Sequence, residues 1–234
     1  DLNAGCSLAD SCPAPEFAEF VKQHPDHVVI SYVNTTAAVK AVTDVVVTST
    51  NARQIVESFP EGTKMIFGPD RNLGNYINSI TGRNMLLWDG ACHVHEQFSL
   101  EKILDLKKQY PDAEVITHPE CKQPVIQVSD FVGSTAALLK YTIKSEKKQF
   151  IVATESGVIH EMRKKSPEKE FIPAPPNDST CACNECNFMR LNTMEKLYNC
   201  LKYEMPEIFV DEEVQKKAIK PIRKMLEISE KLGL

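Results

Sequence analysis

Glycine is scarce in this chain, with 9 in 234 residues, and there is a single tryptophan. So thin a scatter of glycine excludes a fibrous or low-complexity chain. No apolar run approaches the roughly 18–20 residues that cross a bilayer as a helix, and nothing resembles a secretory signal, so a cytosolic setting is expected. Basic residues are not in excess either. With 27 Lys+Arg against 32 Asp+Glu the net charge is -5, which offers a phosphate backbone no long-range attraction and argues against nucleic acid as a partner. The basic groupings at 144–148 and 163–165 read as solvated helix ends. What remains is an ordinary globular balance, 42% hydrophobic and 25% charged, in a length suited to one large domain or two smaller ones. The eight cysteines stand out. A chain of this size in a reducing compartment needs no disulfide framework, so metal or redox duty is the better reading of them.

An internal repeat is visible at an offset of 86 residues. It carries Cys6 onto Cys92, Pro25-Asp26 onto Pro111-Asp112, Tyr32 onto His118, Asn34 onto Glu120, Asp44 onto Asp130, and Thr48-Ser49 onto Ser134-Thr135 without a gap. Apolar positions follow, with Val29-Ile30 landing on Val115-Ile116. Each copy alternates helical stretches with short β-rich runs, the pattern of parallel-sheet α/β units. Strands are predicted over 27–33, 44–49 and 63–67, then over 113–118, 129–133 and 149–153. Helices are predicted over 17–23, 35–42 and 51–58, from Asp70 as cap to a stop at Gly82, from Ser99 to 110, from 135, and over 155–164. The stretch Pro173-Ala174-Pro175-Pro176-Asn177 reads as a linker. Beyond it, Asn192 and Glu195 have capping-box spacing, and Asp211-Glu212-Glu213 puts negative charge at the start of a last helix. The expected division is 1–90, 91–176 and 177–234.

In parallel α/β sheets ligands bind beyond the carboxyl ends of the strands. The repeat puts polar residues at that address: Tyr32 and Asn34 after one strand, His118 and Glu120 after its counterpart. Thr48-Ser49 and Ser134-Thr135 each end a strand and open a helix, a plausible site for phosphate or carboxylate, although Ser and Thr at helix starts ordinarily serve as caps. Equivalent positions on repeated units come together when the units pack around an axis, which pairs Cys6 with Cys92. Cys186 follows after 94 residues, nearly the same interval. Three thiolates converging in this way suit a 4Fe–4S cluster with one iron left open as a Lewis acid. The competing metal reading is a local zinc site on Cys181, Cys183 and Cys186, whose C-x-C-x2-C spacing lacks the paired C-x2-C of zinc ribbons. Cys12, Cys121 and Cys200 read as reduced, packed thiols. Outside enzymes, two α/β lobes around a cleft also suit a small-molecule binding protein, and the zinc reading an interaction module.

The motifs Asp1-Leu2-Asn3-Ala4-Gly5-Cys6, Tyr32-Val33-Asn34-Thr35-Thr36, Thr48-Ser49-Thr50-Asn51, Gly68-Pro69-Asp70-Arg71-Asn72, Gly90-Ala91-Cys92-His93-Val94-His95, His118-Pro119-Glu120, Gly133-Ser134-Thr135 and Cys186-Asn187-Phe188-Met189 together resemble the quinolinate synthase family, from Asp1 to the C-terminal helix. The resemblance implies three-layer αβα sandwich units with parallel sheets around a pseudo-threefold axis. It implies condensation of iminoaspartate with dihydroxyacetone phosphate to quinolinate, with loss of phosphate and water, for NAD biosynthesis. An aspartate oxidase or dehydrogenase would supply the iminoaspartate. Cys6, Cys92 and Cys186 would ligate the 4Fe–4S cluster, and Cys121 would be dispensable. Tyr32 and Asn34 would bind and polarise substrate, Ser49, Ser134 and Thr135 would hold phosphate or carboxylates, and His118 with Glu120 would move protons. The family also carries a leading third with another histidine, tyrosine and serine for substrate that nothing here matches. An N-terminal portion is therefore expected before Asp1, residues 177–234 are expected to pack on it, and without it the chain is expected to be inactive or badly impaired.

Overall fold

The computed structural model describes residues 1–178 and 185–234. They divide into two compact units, 1–90 with 187–234, and 91–186. The first contains α1 (Ser7–Asp10), α2 (Ala14–Lys22), β1 (Val28–Tyr32), α3 (Ala37–Lys40), β2 (Val45–Val47), α4 (Ala52–Glu57), β3 (Met65–Phe67), α5 (Arg71–Thr81) and β4 (Leu86–Leu87). The second runs through α6 (His93–Glu96), α7 (Leu100–Gln109), β5 (Glu114–Thr117), α8 (Gln123–Gln127), β6 (Phe131–Val132), α9 (Thr135–Lys144), β7 (Gln149–Ala153), α10 (Gly157–Lys165) and β8 (Glu170–Pro173). Then α11 (Asn187–Arg190), α12 (Met194–Tyr203) and α13 (Glu212–Lys231) return to the first unit. Each unit holds a four-stranded, fully parallel sheet, ordered β2-β1-β3-β4 in one and β6-β5-β7-β8 in the other. Helices flank the sheets in a three-layer αβα arrangement.

The strands are short runs of β-branched and aromatic residues because both faces of each sheet are covered. Side chains alternate between two cores. Val115, Ile151 and Ala153 pack with Ile103 and Val125 on one side, while Ile116, Phe150 and Val152 pack with Leu138 and Met162 on the other. In the first unit Phe17, Val29, Val39 and Ile66 form the corresponding layer, with Phe20 and Trp88 against it. Each fully buried side chain of this size contributes about 1.5–3 kcal/mol. Among the described residues no helix is long and apolar enough to cross a membrane.

The repeat extends to individual hydrogen bonds. The Asp44 carboxylate accepts the Val29 N–H at 2.8 Å, and that of Asp130 accepts the Val115 N–H at 2.8 Å. Ser31 pairs with Thr43 at 2.8 Å, and Thr117 with Ser129 at 2.5 Å. Thr43 and Ser129 then donate to the carbonyls of Val39 and Val125.

Several expectations need correction. Each sheet has a fourth strand that local pattern concealed. Leu86–Leu87 is only two residues long, and β8 contains Pro173, which an edge strand tolerates. The proline-rich stretch is accordingly part of the second unit's framework: Ala174 N–H donates to Val152 O at 2.9 Å and Ser99 N–H to Pro175 O at 3.0 Å. Helix α12 is capped by Thr193, whose side chain accepts from Lys196 N–H, one residue later than the Asn192 spacing suggests. Cys200 is exposed, unlike the buried Cys12 and Cys121. The last helix does begin at an acidic cap, Asp211, and it packs on α3, β2 and α4. Cys181 and Cys183 lie outside the described residues.

Candidate functional site

The strand order reverses at the centre of each sheet, between β1 and β3 and between β5 and β7. In open α/β sheets ligands bind outside the carboxyl ends of the strands at such a switch point. In the second unit the loops are 118–122 after β5 and 154–156 after β7. His118 N–H continues the ladder to Ala153 O at 3.0 Å, and Cys121 N–H turns back to His118 O at 3.0 Å. This tight turn holds His118 and Glu120, each 4% exposed, side by side.

A residue outside the expected set joins them. His95, on α6, stacks on His118 with ring centroids 4.7 Å apart and planes at 26°. Its Nδ1 is 3.0 Å from Glu120 Oε2, an ion pair when the ring is protonated. Its Nε2 meets Thr154 Oγ1 at 3.1 Å. Cys92 begins α6, so Cys92 and His95 are three residues apart on one helical turn. In the sequence His95 belongs to the Gly90–His95 motif and its C-x-x-H spacing, and neither assigns it a role. One donor atom each from Cys92, His95 and Glu120 lies within 4.8 Å of the others, a set that can hold a metal ion.

The two imidazoles are driven apart electrostatically. Burial is the largest influence on His95 and pulls its pKa down, but hydrogen bonding and charge from Cys92 and Glu120 outweigh it and raise it to about 10. A cation between two acidic groups is the physical reason. His118 is pushed down to about 4, first by burial and then by the neighbouring His95, against the pull of Glu120. The Glu120 N–H donates to His118 Nδ1 at 3.3 Å, which assigns the proton of neutral His118 to Nε2. The buried Glu120 carboxylate is thus compensated by His95 rather than by His118, whose Nδ1 is 3.9 Å from Oε1.

Ser134 is buried and its side chain accepts Ala137 N–H at 3.3 Å as the cap of α9, while Thr135 beside it is exposed. Cys186 is half-buried and its N–H donates to Glu155 Oε1 at 3.3 Å.

In the first unit Tyr32, 7% exposed, closes β1, and its N–H donates to Pro69 O at 3.3 Å across the switch point. Asn34 is exposed and Ser49 half-buried. Here the repeat departs from itself. Helix α4 starts at Ala52 with Asn51 as its cap residue, three positions later than α9. The Asn51 side chain turns backwards instead, accepting Thr48 N–H at 2.7 Å and Thr48 Oγ1–H at 3.0 Å, which shapes the 48–51 loop around Ser49. Cys6 is half-buried and begins α1 as Cys92 begins α6.

The model of a family described as quinolinate synthetase A protein matches residues 1–227. A curated relative from Chloroherpeton thalassium, named quinolinate synthase, is 56% identical over 98% of this chain and 71% of its own length. Relatives of the same name from Synechococcus and Synechocystis are 56% and 57% identical, each over 98% of this chain and 72% of their own length.

Proposed function

Since the chain belongs to the quinolinate synthetase A family and is an enzyme of NAD biosynthesis, we propose that it condenses iminoaspartate with dihydroxyacetone phosphate in the cytosol, releasing phosphate and water to give quinolinate. An aspartate oxidase or dehydrogenase would supply the iminoaspartate. We assign Cys6, Cys92 and Cys186 as ligands of a 4Fe–4S cluster. Soft thiolates suit iron, and the matched positions of Cys6 and Cys92 at the starts of α1 and α6 support the pairing. When bound, the cluster supplies a Lewis acid at its open iron.

The chain's own residues divide the remaining work. Tyr32 and Asn34 bind and orient substrate from the first sheet, and Ser49, Ser134 and Thr135 hold phosphate or carboxylate. Glu120 takes and returns protons at its carboxylate, with His95 holding that carboxylate in place. His118, neutral with its proton on Nε2, donates to a substrate oxygen. The observation that carries this reading is the meeting of His118, Glu120 and His95 at the switch point of a parallel sheet, where such chemistry belongs. We propose that apolar residues exposed between 189 and 209, such as Met194 at 81% and Phe209 at 83%, receive a further unit.

Anaerobic purification followed by metal and sulfide analysis tests the ligand set. About four irons per chain are expected, lost when Cys6, Cys92 or Cys186 is changed to Ser. A single zinc that survives Cys6→Ser overturns the assignment. Glu120→Gln should keep the iron and lose turnover by at least 100-fold; near-normal activity removes Glu120 from proton transfer.

A further inference from the structure

Lys40 is a buried lysine, 8% exposed, with three neutral oxygens around its ammonium. Nζ donates to Val33 O at 2.7 Å, to Thr35 O at 2.5 Å and to Thr35 Oγ1 at 3.0 Å. All three of its N–H bonds are thereby used. Thr35 Oγ1 passes the connection on by donating to Tyr32 O at 2.9 Å. The two carbonyls that Lys40 binds belong to the residues on either side of Asn34, which itself stays exposed. One side chain thus ties down the backbone of the whole 32–35 turn. Burial lowers the Lys40 pKa with no acidic group offsetting it, so the placement carries a desolvation cost that an apolar residue would avoid. The second copy of the repeat holds an apolar residue at this place. The position 86 residues on is Ile126, packed against the second unit's core, and there the turn after the strand is held by Cys121, through its N–H to His118 O and its Sγ to Ala153 O.

We propose that Lys40 is a positioning residue: it fixes the turn after β1 so that Tyr32 and Asn34 are presented to substrate in one geometry. The proposal rests on the reading of those two residues as substrate ligands. Displacing a binding group by about 1 Å can cost up to 100-fold in rate, and the desolvation cost lifted with the buried ammonium offsets part of the stability lost with its hydrogen bonds. A positioning role shows as weakened substrate binding, a merely structural one as lowered stability with normal kinetics.

The test uses the cluster-loaded enzyme and three variants: Lys40→Met, Asn34→Ala and the two combined. Lys40→Met should keep its iron content while kcat/KM falls at least tenfold, chiefly through KM. The double variant should be within about twofold of the worse single variant, because a turn already loose has no geometry left for Asn34 to exploit. Normal kinetics for Lys40→Met beside an impaired Asn34→Ala overturns the role of Lys40 and leaves the site reading standing. Losses that multiply in the double variant also overturn it. Normal kinetics for Asn34→Ala removes the site reading and this inference with it. Should Lys40→Met fail to fold, Thr35→Val keeps the lysine but removes both its bond to Thr35 Oγ1 and the link from there to Tyr32 O; an unchanged KM there overturns the proposal, and a raised KM restored by Thr35→Ser supports it.

Discussion

Gly68 follows β3 at the switch point of the first sheet, and space rather than backbone freedom decides its identity. A Cβ there would lie 2.5 Å from Trp88 Cβ and 3.0 Å from Phe17 Cε2, two atoms held rigidly by the core. Gly68→Ala is expected to cost about 2 kcal/mol through overpacking, read as a lower urea midpoint; an unchanged midpoint would mean that Trp88 yields easily. Asp130 is decided by charge. Burial raises its pKa, but the Lys107 hydrogen bond, the Val115 N–H and the charges of Lys107 and Lys147 outweigh it and hold it below the usual carboxylate value. A folded-state pKa below the unfolded one stabilises the protein above the unfolded pKa, near about 3.9, and that contribution fades as pH falls through the folded value. Because the Asp130 side chain is 40% exposed, solvent screening limits the effect. Asp130→Asn should cost about 1 kcal/mol at pH 7, and the gap to the parent should narrow as pH falls below about 3.9 and through the lowered folded-state value; a constant gap would assign the loss to shape instead of charge.

Helix α13 shows how an element is defined at its ends and along one face. Asp211 accepts the N–H groups of Glu213 and Val214, each at 3.0 Å, and adds negative charge at the positive end of the helix dipole. Ala218, Pro221 and Met225 form its buried stripe, spaced three and four residues apart as a helix laid on a sheet requires. Asp211→Ala should cost about 1 kcal/mol and increase fraying of the first turn, seen as faster hydrogen exchange at 213–215. No change in exchange there would show that the stripe alone holds the helix. The same stripe places Ser229 where its hydroxyl accepts from Asn51 Nδ2 at 3.2 Å, so the last helix also braces the loop that carries Ser49.

At the scale of the molecule, two sheets of identical strand order each own their cores, and a cavity should be felt where it is cut. Phe150 is fully buried between Leu138, Met162 and Phe171 in the second unit. Phe150→Ala should cost about 3–5 kcal/mol. Native-state hydrogen exchange should accelerate first in β5 and β7 while β1 and β3 keep their protection. Equal acceleration in both sheets would show that the two cores open as one.

Much of this was written in the chain. The 86-residue repeat, the parallel α/β class, the β-strands as short apolar runs, the caps at Asp70, Ser99, Ser134 and Asp211, and the placing of His118 and Glu120 after a strand all follow from local chemistry and periodicity. The two-residue β4 carries too little pattern to be seen, and β8 hides behind the proline that its edge position tolerates. Thr193 and Asn192 are both competent caps, and only the path of the chain chose between them. His95 acquires its meaning from neighbours 23 and 25 residues away, His118 and Glu120, which a parallel sheet brings beside α6. Lys40 reads in the sequence as one more cation on a short helix; folding turns it inward onto the backbone of Val33 and Thr35. Spacing along the chain determines which residues share an element. Burial, and the pairing of polar groups that burial compels, are properties of the assembled layers, and they decided which of those residues meet.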